Sequence, residues 1–232
     1  MSGNVHVLES KEKVLGAVAA AIGAAASDAI AARGTFTFAL TGGSVAKEVH
    51  PVLAQASGLV DWARTKIYFG DERAVPPAHE DSNYRLAKET LLDRVSVPAE
   101  NVFRMRGEDP DLDYASSEYA KSLPEKFDLI LLGMGPDGHL CSHFPGFKQL
   151  DERERLVLPV DGSPKPPPRR MTFTPPVLSS ARKTLMVALS SDKADAVARA
   201  LADEGSSKET PSRIVRHGMW ILTADAAAKL AR

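Results

Sequence analysis

Two ionisable side chains, Asp137 and His139, stand inside a glycine-rich break, Gly133-Met-Gly-Pro-Asp-Gly-His139, that follows an apolar run over 127–132. An imidazole changes charge near neutral pH and can take a proton from water or return one. A carboxylate two residues away can orient the ring or tune its proton affinity; that spacing does not by itself put the two in contact. Gly133, Gly135 and Gly138, with Pro136, permit a tight turn or a close backbone approach. At the carboxyl end of a strand in an α/β sheet, such a break faces the crevice where ligands bind.

A second stretch, Thr41-Gly-Gly-Ser44, lies between a strand-like 35–40 and a helical 45–56. Strand, glycine pair, hydroxyl and helix form the local pattern of an anion site. Gly42 and Gly43 let backbone N–H groups approach, and the helix start adds unpaired donors and the positive end of the dipole. The same residues also suit a plain tight turn with Ser44 as a helix cap. They match neither a Walker loop nor a dinucleotide fingerprint. A third stretch, Gly70-Asp-Glu-Arg73, follows a strand over 66–69 and runs into Val75-Pro-Pro77. Asp71, Glu72 and Arg73 are expensive to place idly if this loop faces a cleft, and form a solvated turn if it faces open water. Lys193 stands in the polar break after an apolar strand over 184–190, and Arg170 opens an alternating strand in which Arg170, Thr172 and Thr174 share one face. Together these groups describe a pocket with an anion cradle, cations and a histidine–carboxylate pair.

The elements that must position them alternate. Strands are expected over 5–8, 35–40, 66–69, 127–132, 156–160, 170–174, 184–190 and 219–223, with a short one at 102–104; helices are expected over 10–32, 45–56, 84–95, 114–123, 194–202 and 224–231. That order predicts an α/β fold, Rossmann-like, with a mainly parallel sheet flanked by helices, in a single domain over 1–232. Loops that follow parallel strands share one edge, so 42–44, 71–73, 137–139 and 193 can converge. The proline run Pro164-Lys-Pro-Pro-Pro168 reads as a stiff surface segment.

Composition narrows the class of function. Lys and Arg (29) nearly balance Asp and Glu (30), for a net charge of −1, which argues against electrostatically driven nucleic-acid binding. Cys141 is the only cysteine, so no internal disulfide forms and a reducing compartment is expected. Residues 1–13 lack the basic-then-apolar signature of a signal peptide, and the alanine-rich run after them reads as too mixed for a membrane span. His6, His50, His79 and His217 show no metal-ligand spacing. Gly42-Gly-Ser-Val-Ala46 lacks the final glycine of a serine-hydrolase nucleophile elbow. The expectation is a cytoplasmic protein with no cofactor, no metal, and no nucleic-acid or membrane partner.

Taken together, Thr41-Gly-Gly-Ser44, Phe69-Gly-Asp-Glu-Arg73, Ser82-Asn83, Gly133-Met-Gly-Pro-Asp-Gly-His139, Phe144-Pro-Gly146 and Arg170-x-Thr-x-Thr174 resemble the 6-phosphogluconolactonase family, itself a relative of the glucosamine-6-phosphate deaminases. Lys193 also falls where that family tends to carry a lysine. The resemblance runs from Thr35 to the C-terminus. It implies hydrolysis of 6-phosphoglucono-δ-lactone to 6-phosphogluconate in the oxidative pentose phosphate pathway, by a monomer acting on a small sugar-phosphate lactone. His139 then serves as general base and Asp137 orients it, while Asp71 faces sugar hydroxyls. Arg73 either stabilises the oxyanion or holds phosphate. Gly42, Gly43 and Ser44 hold the phosphate, with Arg170 and Lys193 supplying charge.

The chain departs from that pattern in two places. Ser44-Val45-Ala46 stands where the family commonly has Ser-Thr-Pro, and Leu140-Cys-Ser-His143 stands where it often has Thr-Ala-Ser-Leu. His143 is expected on the loop surface, and Cys141 as a small buried thiol rather than a nucleophile. A deaminase carries a catalytic glutamate shortly after the histidine motif; residues 140–147 contain no acid.

Overall fold

The computed structural model describes residues 4–56 and 58–230. Continuous apolar runs form the middle of the main sheet, because a parallel strand covered on both faces has no polar side to present. All five residues of β2 (Phe36–Leu40) and all four of β5 (Leu129–Leu132) are buried. With β1 (Val5–Leu8), β3 (Thr65–Phe69), β8 (Thr184–Ala188) and β9 (Met219–Thr223) they make a six-stranded sheet in the order β1-β9-β8-β5-β2-β3. Every pairing in it is parallel.

Side chains alternate across that sheet and divide the core in two. Leu129, Leu131, Leu185 and Val187 face one layer, where Phe36, Phe38 and Leu40 meet the helices α1 (Lys11–Arg33), α2 (Gly43–Gln55) and α3 (Asn83–Thr90). Ile130, Leu132, Met186 and Ala188 face the other, with Leu112, Ala115 and Tyr119 of α4 (Leu112–Ser122) and Ala196, Val197 and Ala200 of α6 (Ala194–Leu201). The alternation of strands and helices read from the sequence therefore stands as an α/β fold with helices on both faces.

Helix α1 starts where Ser10 accepts a hydrogen bond from the Lys13 N–H, and ends at Gly34, whose φ of 75° lies in the left-handed region a glycine tolerates best. Contrary to the sequence expectation, α1 is long and apolar enough by length and composition to cross a membrane. Val14, Val18 and Ile22, on its buried face, pack into the core beneath the sheet.

A second sheet was not foreseen. Residues 70–73, expected as a loop, leave the main sheet at Gly70 and continue as a strand, β4 (Asp71–Arg73). It pairs antiparallel with β7 (Arg170–Phe173), which pairs antiparallel with β6 (Val157–Val160). Gly70 joins the two sheets: its N–H donates to Leu40 O at 3.1 Å and its carbonyl accepts from the Phe173 N–H at 2.8 Å. Val157, Met171 and Phe173 carry this small sheet into the core.

Three further expectations fail. The proposed strand at 102–104 reduces to one bridge between Ile67 and Val102. The helix read over 84–95 stops at Thr90, and residues 92–94 form a separate 3-10 turn. Residues 224–229 form turns rather than a terminal helix, while Pro175–Ser180 forms a helix, α5, that proline-rich composition concealed.

His50, on α2, is fully buried; its Nδ1 lies 3.1 Å from Thr90 Oγ1, and its Nε2 has no partner among the described residues. Burial pushes its pKa down from 6.5 to about 4. The unfolded chain therefore takes the proton first, so the neutral imidazole contributes stability that is fully present above pH 6.5 and is lost as pH falls through 4. That loss amounts to about 3 kcal/mol. Replacing His50 with leucine is expected to flatten this part of the stability profile, as urea titrations across the interval would record.

Candidate active site

Strand order places the site. From β2 the chain moves outward to β3, whereas β5 lies on the opposite side of β2, so the winding direction reverses between β2 and β5. The loops after these two strands diverge above their carboxyl ends and leave a crevice. Little space is left at its base: a Cβ added to Gly133, after β5, would come within 2.9 Å of Val45 Cγ2 in the first turn of α2. The crevice holds a cavity of about 210 Å³.

Gly42, Gly43 and Ser44 line it from the start of α2, Asp71 and Arg73 from β4, and His139 from the loop after β5; Arg170 comes from β7 and Lys193 from the turn before α6. Asp137, the ninth residue singled out from the sequence, stands behind His139. Its Oδ1 lies 2.6 Å from His139 Nδ1 and accepts the His139 backbone N–H at 3.2 Å. Two acceptors would repel at the shorter distance, so Nδ1 carries the hydrogen. Nε2 is thereby left as the lone-pair nitrogen, and it makes no hydrogen bond among the described residues. Burial raises the Asp137 pKa, but the hydrogen bonds and charge of His139, together with Lys165, outweigh that and hold it well below the usual carboxylate range. The His139 ring packs on Phe144, with centroids 4.7 Å apart, and the Arg170 guanidinium packs on the same phenyl ring at 5.7 Å.

The three charged residues after β3 divide their work. Glu72 turns away from the cleft and is only 3% exposed. It accepts the N–H groups of Asn83 and Tyr84 at the first turn of α3, the Arg73 N–H and the Ser82 hydroxyl. Burial raises its pKa and those four donors oppose the rise. Asp71 faces the cleft in a fixed orientation, because its two oxygens accept from Asn83 Nδ2 at 3.2 Å and from Ser142 Oγ at 2.7 Å. Arg73 donates from Nη1 to the Asp81 carbonyl, while its Nε is buried without a partner among the described residues.

The cations are unequal too. Lys193 pairs with Asp192 at 2.8 Å at the rim. Arg170 is buried and gives Nε and Nη2 to the carbonyls of Pro167, Lys165 and Pro166, so it braces the loop before β7 while lending its charge to the cleft. The register sets Arg73 directly opposite Arg170, which concentrates positive charge on one wall.

Two sequence readings near His139 change. His143 is not on the loop surface: it is fully buried, and its Nε2 donates to the Phe173 carbonyl at 2.6 Å. Cys141 is partly exposed on the cleft wall, with a φ of 51°, rather than wholly enclosed. Burial and the charge of Asp71 push its thiol pKa well up, so it stays protonated and is a poor nucleophile.

Sequence reasoning missed Lys165, Asn83 and Ser142 as members of the site. Lys165 belongs to the proline run read as surface, yet it lines the cleft. Ser82-Asn83 is part of the family pattern, but no site role was read for it from the sequence; Ser82 Oγ accepts the Arg85 N–H at the head of α3, and the carboxamide of Asn83 is aimed at Asp71. Among the described residues, no group of three or more His, Cys, Asp or Glu side chains is arranged to hold a metal ion.

Gly135 is needed for the dyad. A Cβ there would lie 2.0 Å from His139 Nδ1 and 2.3 Å from Asp137 Oδ1. Gly135→Ala is expected to separate the pair, and nitrogen NMR of labelled histidine would record loss of the Nδ1-protonated form of His139.

A family model described as glucosamine-6-phosphate isomerases/6-phosphogluconolactonase matches residues 9–222. The chain is 37% identical over 244 residues to a 6-phosphogluconolactonase of Homo sapiens, covering 98% of this chain and 93% of the relative. A solved 6-phosphogluconolactonase from Trypanosoma brucei superposes with a TM-score of 0.84 at 26% identity, over 98% of each chain. A monomeric glucosamine-6-phosphate deaminase, 18% identical with a TM-score of 0.82 over 97% of this chain and 99% of its own, shares the fold alone.

Proposed function

The chain belongs to the 6-phosphogluconolactonase family of lactone hydrolases, within the wider group of glucosamine-6-phosphate isomerases, and on that premise we propose that it hydrolyses 6-phosphoglucono-δ-lactone to 6-phosphogluconate, in the cytoplasm, as a step of the oxidative pentose phosphate pathway. The observation that carries this reading is the Asp137–His139 pair, with its free Nε2, in a cation-lined cleft at the head of α2.

His139 Nε2 takes a proton from water as the water oxygen attacks the lactone carbonyl carbon. The carbonyl π pair moves onto oxygen, and Arg73 supplies positive charge toward that oxyanion. Asp137 stabilises the imidazolium and keeps the ring oriented. When the tetrahedral intermediate collapses, the bond from carbon to the ring oxygen breaks and that oxygen takes the proton from His139, which restores the neutral ring. The carboxylic acid formed then ionises into solvent. A lactone is already activated, so positioning and one shuttled proton suffice.

The phosphate is placed on the N–H groups of Gly42, Gly43 and Ser44, where the dipole of the 13-residue helix α2 adds its positive end. Lys193 and Arg170 supply charge. Asp71, held by Asn83 and Ser142, faces sugar hydroxyls. Ring opening and deamination of glucosamine 6-phosphate is disfavoured, since no acidic residue occurs in 140–147.

The test follows hydrolysis of freshly made 6-phosphogluconolactone through production of 6-phosphogluconate, with the spontaneous rate subtracted. Wild type is expected to turn over the lactone and to release no ammonia from glucosamine 6-phosphate. His139→Ala is expected to lose about 100-fold or more in kcat while still binding 6-phosphogluconate. Lys193→Ala is expected to raise KM about tenfold for the phosphorylated lactone and to leave unphosphorylated glucono-δ-lactone unchanged. Equal losses on both lactones would remove Lys193 from the phosphate site, and full activity in His139→Ala would remove the base.

A further inference from the structure

Lys165 stands against the catalytic pair without a hydrogen-bond acceptor on the ring to explain it. Its Nζ is 3.8 Å from Asp137 Oδ1 and 3.4 Å from His139 Nδ1. Because Nδ1 carries the hydrogen given to Asp137, it cannot accept one from Lys165. The lysine acts there as a positive charge.

Its placement is built rather than incidental. Ser163 Oγ donates to the Lys165 carbonyl at 2.8 Å and accepts the Lys165 N–H at 3.2 Å. The Ser163 N–H in turn closes onto Pro168 O at 2.9 Å. Buried Arg170 binds the carbonyls of Lys165, Pro166 and Pro167 and packs on Phe144, whose ring also supports His139. One guanidinium thus ties the lysine-bearing loop to the ring it faces.

We propose that Lys165 is a positioning residue acting through His139: its charge offsets that of Asp137, keeps the imidazole neutral before water is deprotonated, and makes the imidazolium acidic enough to return its proton to the departing ring oxygen. A carboxylate beside one ring nitrogen favours the charged form of an imidazole. A cation at that distance opposes this effect and preserves the orientation that the aspartate provides. The other charges around the ring are Arg170, beyond Phe144, and Asp71, Arg73 and Lys193, which line the same cleft. Among the described residues, none of these hydrogen-bonds to the ring. Asp71 is occupied by Asn83 and Ser142, Arg73 by the Asp81 carbonyl, and Lys193 by Asp192.

The proton step rests on the lactonase reading, whereas the effect on the ring can be measured without it. In Lys165→Met, NMR titration of His139 in the free protein is expected to show a midpoint about one pH unit higher, a modest shift because the lysine is partly solvated. The acid limb of kcat/KM is expected to move up by the same amount, and Lys165→Arg to restore most of both. An unmoved His139 midpoint would overturn the proposal. So would a raised KM with an unmoved acid limb, which would make Lys165 a substrate contact. If the wild type fails to hydrolyse the lactone, the function proposed above falls, and the NMR midpoint still decides whether Lys165 acts on His139.

Discussion

The arrangement depends on one short hydrogen bond, 2.6 Å between Asp137 and His139, and on the bare space over Gly135 that admits it. The pair sits in a loop of only a few residues, so the backbone has to fold back on itself. Gly138, at φ 87°, makes the reversal in a region a side chain rarely adopts, and its N–H returns to the Gly135 carbonyl at 2.9 Å. The tautomer follows from the geometry: a carboxylate at Nδ1 leaves the lone pair on Nε2, the nitrogen available to act on water.

The far wall of the cleft depends on a different device. The chain leaves the parallel sheet at Gly70 and enters an antiparallel one, so two sheets meet at the edge where the loops open. This junction places Asp71 beside Asn83 and Ser142, and it seats Arg73 opposite Arg170. Glu72, between them, is turned inward and holds the first turn of α3, which in turn presents Asn83. A charged residue that never meets the cleft thus sets the orientation of one that does.

The cations of the site differ in what holds them as well as in position. Arg170 is buried and committed to three carbonyls, Arg73 to one, while Lys165 and Lys193 reach in on flexible stems from loops. Fixed guanidinium groups supply a standing field, while Lys165 faces the Asp137–His139 pair and Lys193 stands beside the head of α2. Such division suits a small, highly charged ligand that must bind in one orientation and then leave after its ring has opened.

The sequence alone determined the alternation of strands and helices, a mainly parallel sheet with strands at 35–40 and 127–132, and the three glycine-bearing breaks that carry His139, Ser44 and Asp71. These are local properties. A run of apolar side chains, a glycine, or a helix cap imposes its conformation through sterics and burial within a few residues. Tertiary structure decided the rest: that 71–73 is a strand, that Glu72 and His143 face the interior, and that Lys165 leaves its proline run for the cleft. Nothing near Lys165 in the chain marks it, because the imidazole and carboxylate it meets lie 26 and 28 positions away. Whether a charged side chain serves a pocket, a helix end or open water depends on which distant elements pack against it. That choice is made by the burial of the whole core, and no single segment contains it.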